Sequence, residues 1–247
     1  MNASRADKAY AAGTAAVVFG VLGIVGAVMT GHPPMPEKPV ADIASWYQHH
    51  RQGVYVSQLF VSVAAVALAC FAALVAHLVA GVDGPVSSAI PGRGQARVFA
   101  TSTAAAVALF IAGGWPQLAL AVGVNRPGET TAPGTVRLLS DLVWLHWGGL
   151  TVVVAIVAGS LSFLLLGGAI GARWVGYVGL VATVLLAVGA VAAYFPNLAG
   201  KQNPVAVLGF IGFLVFALTL LLTGITMLAG SAGVAARRSA TEVEAAA

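Results

Sequence analysis

Charge is what this chain lacks most. Only 8% of its 247 residues are Asp, Glu, Lys or Arg, against about 25% in soluble domains, while 59% are apolar. Eight acidic and twelve basic side chains cannot cover a globule of this length with water-compatible surface, so lipid is the expected solvent. Cysteine occurs once, at Cys70, which excludes a disulfide framework or a cysteine metal cluster within one chain. In its apolar segment Cys70 reads as a small core hydrophobe. The basic residues give a net charge of +4 but form no run or stripe, so nucleic acid is not an expected partner. They read instead as topology signals and as contacts with anionic lipid headgroups.

Familiar catalytic signatures are missing too. There is no Gly-x-Ser-x-Gly elbow, no His-Glu-x-x-His pair, no Walker loop and no clustered acidic pair, so common hydrolase and nucleotide chemistry has no visible machinery. The reading leans away from an enzyme, and no cofactor is expected.

What the chain does have is length in apolar segments. A spanning helix needs about 20 residues, because about 1.5 Å of rise per residue must cross about 30 Å of hydrocarbon. Six segments qualify: Ala9 to Met29, Tyr55 to Ala80, Val98 to Val124, Leu142 to Gly168, Trp174 to Phe195 and Val205 to Ala229. None contains an internal Asp, Glu, Lys or Arg. The expected fold is an all-α, polytopic transmembrane bundle of about six helices, one domain over residues 1–230, followed by a disordered cytoplasmic tail over 231–247. The first segment exceeds the 7–15 residues of a signal h-region, and no small-x-small cleavage site precedes His32-Pro33-Pro34, so it is read as a retained span.

Loop charges set the orientation. With the N-terminus inside, the cytoplasmic side holds seven basic residues (Arg5, Lys8, Arg93, Arg97, Arg173, Arg237, Arg238) and the other side five (Lys38, Arg51, Arg126, Arg137, Lys201). The positive-inside rule then places both termini in the cytoplasm of a bacterial plasma membrane. Of the outer connections, Thr30 to Val54 is opened by prolines and becomes helical in spacing from Asp42, at Ile43, Trp46, Tyr47 and His50. Asp42 is the expected N-cap. The segment reads as a short interfacial helix or as the protruding start of the second span, with Gly53 the candidate break, and Trp46 and Tyr47 suited to the headgroup level. Trp144, Trp147 and Trp174 fit aromatic belts at the two boundaries.

Within the spans, Gly20, Gly23 and Gly26, and a GxxxG at Gly167 and Gly171, are spaced for close helix packing inside the bundle. Gly113, Gly114 and Pro116 predict a kink in the third span, since Pro116 removes a helix hydrogen bond. With Gln117 they form the candidate pathway, to which Gln58, Thr101, Ser102 and Thr103 add polar groups.

Only His77 and His146 are ionisable near mid-membrane depth, and they fall in opposite leaflets. No metal is expected. If one is bound, the candidate ligands are His146, Asp141, His49 and His50 at the outer boundary.

The stretch Asp42-Ile43-Ala44-Ser45-Trp46-Tyr47 with Arg51, the Ala/Val-rich third span, and the fifth and sixth spans joined by Phe195-Pro196-Asn197 resemble multi-pass membrane proteins of high-GC actinobacteria. The resemblance implies an inner-membrane location and no activity. The expected role is an accessory, structural or regulatory component that contacts the lipid bilayer and another membrane protein. The alternatives are a small-molecule or lipid carrier, and a membrane enzyme acting on a lipid or quinone at the outer interface.

Overall fold

The computed structural model describes residues 3–31, 33–35, 37–80, 93–125, 131–194 and 204–246. His32, Pro36 and the Phe195-Pro196-Asn197 connection lie outside the described residues. Seven helices make up the described chain: α1 (Ala3–Thr30), α2 (Val40–His49), α3 (Arg51–Ala80), α4 (Arg93–Gly123), α5 (Pro133–Leu166), α6 (Arg173–Tyr194) and α7 (Pro204–Ala246). No strand occurs among the described residues. Hydrocarbon offers no partner for backbone N–H and C=O groups, and a helix satisfies them internally. Six of the seven, all but α2, are long and apolar enough to cross a membrane.

Those six form a closed ring. Each packs on its neighbours in chain order, α1 on α3, α3 on α4, α4 on α5, α5 on α6 and α6 on α7, and α7 closes the circuit on α1. Missing side chains allow the close approaches. Gly13 of α1 faces Gly224 of α7, Gly189 of α6 faces Gly209 of α7, and a methyl at Gly20 would run into Leu221. Association in lipid depends on such van der Waals fit rather than on a hydrophobic drive between helices. The glycines of α1 therefore serve packing within this chain, with Gly20 toward α7 and Gly26 toward α3.

The middle of the ring is filled. Phe19 meets Phe110 at 6.3 Å and Phe216 at 5.6 Å between ring centroids, and Phe110 meets Phe213 at 5.9 Å. These contacts tie α1, α4 and α7 across the interior, in the separation range aromatic pairs prefer.

Several expectations are corrected. Gly167 and Gly171 do not share a helix face; they lie in the turn between α5 and α6, where Gly168 and Gly171 adopt φ of +71° and +55°, and Gly171 approaches Thr223 and Thr226 of α7. Only glycine takes that conformation at little cost. Cys70 is exposed on α3 rather than in the core. The backbone of α7 is helical from Pro204 to Ala246. Pro116 lies inside α4, and a proline there bends a helix without ending it.

Helix α2 lies across one end of the ring, against α3, α4 and α5. It starts after Pro39, with no side-chain cap, and Asp42 sits in its first turn instead of capping it. The break before α3 falls at His50, not at Gly53. Ile43 and Tyr47 are buried in a second core with Val54, Leu120, Val136 and Val143. The apolar face of α2 is therefore spent on protein, and Tyr47 does not reach lipid headgroups. Burial pushes the Tyr47 phenol above its ordinary pKa, because the phenolate would be desolvated. Polar ties complete the cover. Trp144 Nε1 donates to the Pro34 carbonyl at 3.1 Å, Arg137 Nη2 to the Lys38 carbonyl at 3.0 Å, and Gln48 Nε2 to the Val124 carbonyl at 3.0 Å.

Candidate functional site

Beneath this cover, the interior of the ring carries polar side chains in helices otherwise built of Ala, Val, Leu and Gly. Gln58 Nε2 of α3 donates to Gln117 Oε1 of α4 at 2.7 Å. Gln117 is 1% exposed. At about 1.5 Å per residue, Gln58 lies about 10 Å inside the α2 end of α3, Gln117 about 9 Å inside that of α4 and His146 about 20 Å inside that of α5. Because α5 has 34 residues, about 50 Å of helix, it projects beyond a hydrocarbon layer of about 30 Å, and its first turns become the wall against which α2 packs.

The paired glycines explain how these groups fit. The His146 ring sits over Gly113 in the space a Cβ would fill, and the Gln58 amide does the same over Gly114. With no side chain at 113 in the way, the imidazole approaches the α4 backbone, toward Leu109 one turn earlier. Gly113 and Gly114 thus serve as seats for two polar side chains from neighbouring helices, a role the sequence reading missed when it assigned them to a kink. The unused signal was the coincidence of two adjacent glycines with Gln58 and His146 at matching depth in the flanking spans. Thr30 and Ser57 add to this end: both hydroxyl oxygens lie 2.9 Å from the Gly26 carbonyl oxygen and beside each other, so their two protons are shared among these three oxygens.

Two cavities meet here. One, about 30 Å³, is bordered by Gln58, Gly113, Gly114, Gln117 and His146. The other, about 100 Å³, is walled by Trp144, Trp147, Val143, Phe210 and Phe213, with Gly31 and Pro33 of the α1–α2 connection at its rim. Ala27, Thr30, Trp147, Leu150 and Phe213 border both, so a single wall separates an apolar compartment from a polar one. Among the described residues, no Asp, Glu, Lys or Arg lines either. Trp147, assigned from sequence to an aromatic belt, is a chamber wall. Among the described residues the strongly exposed aromatics are Trp115, Tyr177, Tyr10, Phe163 and Trp174.

The remaining candidates are scattered. His49 and His50 turn back on their own helix, bonding the Ser45 and Trp46 carbonyls at 2.7 and 2.9 Å, and His50 stacks on Trp46. Among the described residues no three of His, Cys, Asp and Glu come together as metal ligands would, so His146, Asp141, His49 and His50 are not gathered into one group. Ser102 bonds its own backbone at the Val98 carbonyl, and Thr101 is exposed on α4. Thr103 is buried, and its hydroxyl is without a partner among the described residues.

The opposite end differs in character. A cavity of about 390 Å³ opens there beside Arg5, Leu78, Met227 and the α5–α6 turn. Lys8 Nζ lies 2.6 Å from His77 Nε2 nearby. The phenylalanine cluster stands between the two ends.

Six long apolar helices around a filled interior define a multi-pass integral membrane protein whose outer faces contact lipid. No protein family, curated protein or solved structure matches the chain.

Proposed function

We propose that this protein is a membrane carrier for a small neutral molecule, loaded at the α2 end of the helix ring. One observation carries the reading: a hydrogen-bonded glutamine pair and a histidine are seated on paired glycines next to a cavity, inside a membrane bundle. Polar groups within a spanning bundle are costly and mark functional sites by default, and a purely structural interior would be served by Leu and Phe packing. The filled aromatic middle, with cavities at both ends, fits a carrier captured with its path closed. Outward movement of Phe110 and Phe213 would join the ends.

The loop charges support an N-terminus and a C-terminus inside, which places α2 and the chamber at the outer face of a bacterial cytoplasmic membrane. Under this reading the chamber receives its ligand from outside the cell or from the outer leaflet.

Native mass spectrometry of protein extracted gently from its own membrane tests the reading. The wild type should retain a small molecule that Gln117→Leu protein loses. A chain that carries no small molecule and instead holds a stoichiometric protein partner would replace the carrier with an accessory subunit.

A further inference from the structure

The cavity at the end opposite α2 differs in chemistry from the chamber and stands apart from it, beyond the phenylalanine cluster. We propose that it binds one anionic phospholipid, with the phosphate on Arg5, the headgroup in the cavity and the acyl chains along the outer face of α7.

Charge of one sign gathers at this mouth of the ring. Arg5 borders the cavity, and Lys8 follows three residues later on α1. Residues three apart share a helix face, so the two cations repel each other. Asp7 is exposed and two positions from Arg5, a spacing that does not bring side chains face to face. Arg5 forms no hydrogen bond or ion pair with a described residue. Lys8 Nζ spends one N–H on His77 Nε2 at 2.6 Å, which leaves two. The Arg173 guanidinium lies over Gly168 in the α5–α6 turn, and Ile170 and Gly171 of that turn line the cavity. Among the described residues no acidic side chain lines it. A phosphate oxyanion relieves the repulsion and meets the planar guanidinium with two parallel hydrogen bonds.

The remaining walls select an amphiphile over a free ion. Ala9, Leu78, Ile170 and Met227 are apolar and add nothing to the binding of inorganic phosphate. The cavity measures about 390 Å³, against about 150 Å³ for one that accommodates benzene, and a phosphoglycerol headgroup has fewer than twice the non-hydrogen atoms of benzene. Its rim is open beside α7: Gly230 borders the cavity, is exposed, and has free space where a Cβ would stand. Ile211, Leu218 and Ile225, exposed and seven apart, form an apolar stripe on α7 that leads toward that rim.

Depth agrees with this occupant. The apolar spans of α1 and α6 begin at Arg5 and Arg173, so both guanidinium groups stand at the hydrocarbon boundary, where phospholipid phosphates lie. Scattered basic residues attract anionic lipid anywhere on a rim; a basic pocket between spanning helices holds one headgroup in place.

Native mass spectrometry of the full chain in a neutral detergent, titrated with palmitoyl-oleoyl phosphatidylglycerol or with phosphatidylcholine of the same chains, reads the site. One phosphatidylglycerol per chain should bind about tenfold tighter than phosphatidylcholine. Arg5→Gln with Lys8→Gln should abolish that preference, and Arg137→Gln, at the α2 end, should leave it intact. Equal binding of the two lipids by the wild type overturns the site whether or not the variants fold. So does a phosphatidylglycerol preference that survives Arg5→Gln with Lys8→Gln, since the attraction is then general to the rim. Displacement of the lipid by millimolar inorganic phosphate assigns the cavity to a soluble phosphate and overturns the lipid. A molecule lost by Arg5→Gln and kept by Gln117→Leu belongs here, so failure of this site leaves the carrier reading untouched.

Discussion

The imidazole of His146 occupies the space that any side chain at position 113 would need. Two helices therefore share one volume, and glycine is required at 113 because of a residue 33 positions later in the chain. Gly113→Ala should destabilise the bundle by about 1–3 kcal/mol, the usual cost of overpacking a well-filled interior. His146→Ala should relieve most of that cost, so the double variant is far less destabilised than the sum of the singles. Reversible unfolding in mixed micelles, followed by tryptophan fluorescence, measures all four proteins. Additive losses would mean the two residues do not share the space.

A second coupling joins α3 to α4. Gln58→Leu or Gln117→Leu alone strands an amide in the bundle interior and should cost about 1–2 kcal/mol. Replacing both by Leu removes the stranded group and should recover most of the loss. A double variant as unstable as the sum of the singles would show that the amide pair is not the relevant interaction.

Thr103 behaves oppositely. Its buried hydroxyl has no partner among the described residues, so it contributes a desolvation penalty without a compensating bond. Thr103→Val keeps the shape and removes that penalty. An increase in stability of about 1 kcal/mol is expected in the same unfolding assay. A loss of that size would mean the hydroxyl is satisfied in the membrane.

The cover formed by α2 should fail at alkaline pH. Tyr47 is 2% exposed, and burial raises its pKa above the ordinary 10.0. Once undocked, the phenol ionises near its ordinary pKa while the docked one stays neutral. The contribution to docking is thus complete below pH 10.0 and declines as pH rises beyond it. A thermal midpoint that falls above that pH in the wild type and not in Tyr47→Phe is the expected result. Parallel decline in both proteins would assign the loss to another group.

Sequence alone determined the class of this protein and the number of its spans. Eight per cent charge admits few other solvents, and a stretch of apolar residues long enough to cross hydrocarbon is legible one segment at a time, because each helix satisfies its own backbone. The polar residues were visible as well: Gln58, Gln117, His146 and the glycine pair are all conspicuous in apolar surroundings. Their relationships were decided only by the tertiary structure. Which helices adjoin, and at what rotation, depends on how side chains of different spans fit together, and that information is distributed over residues far apart in the chain. Periodicity placed Tyr47 at the headgroups and Trp147 in a belt because it records that a face is apolar without recording what covers it. Gly113 and Gly114 were read only as part of a kink because a missing side chain carries no mark of the neighbour that fills its place.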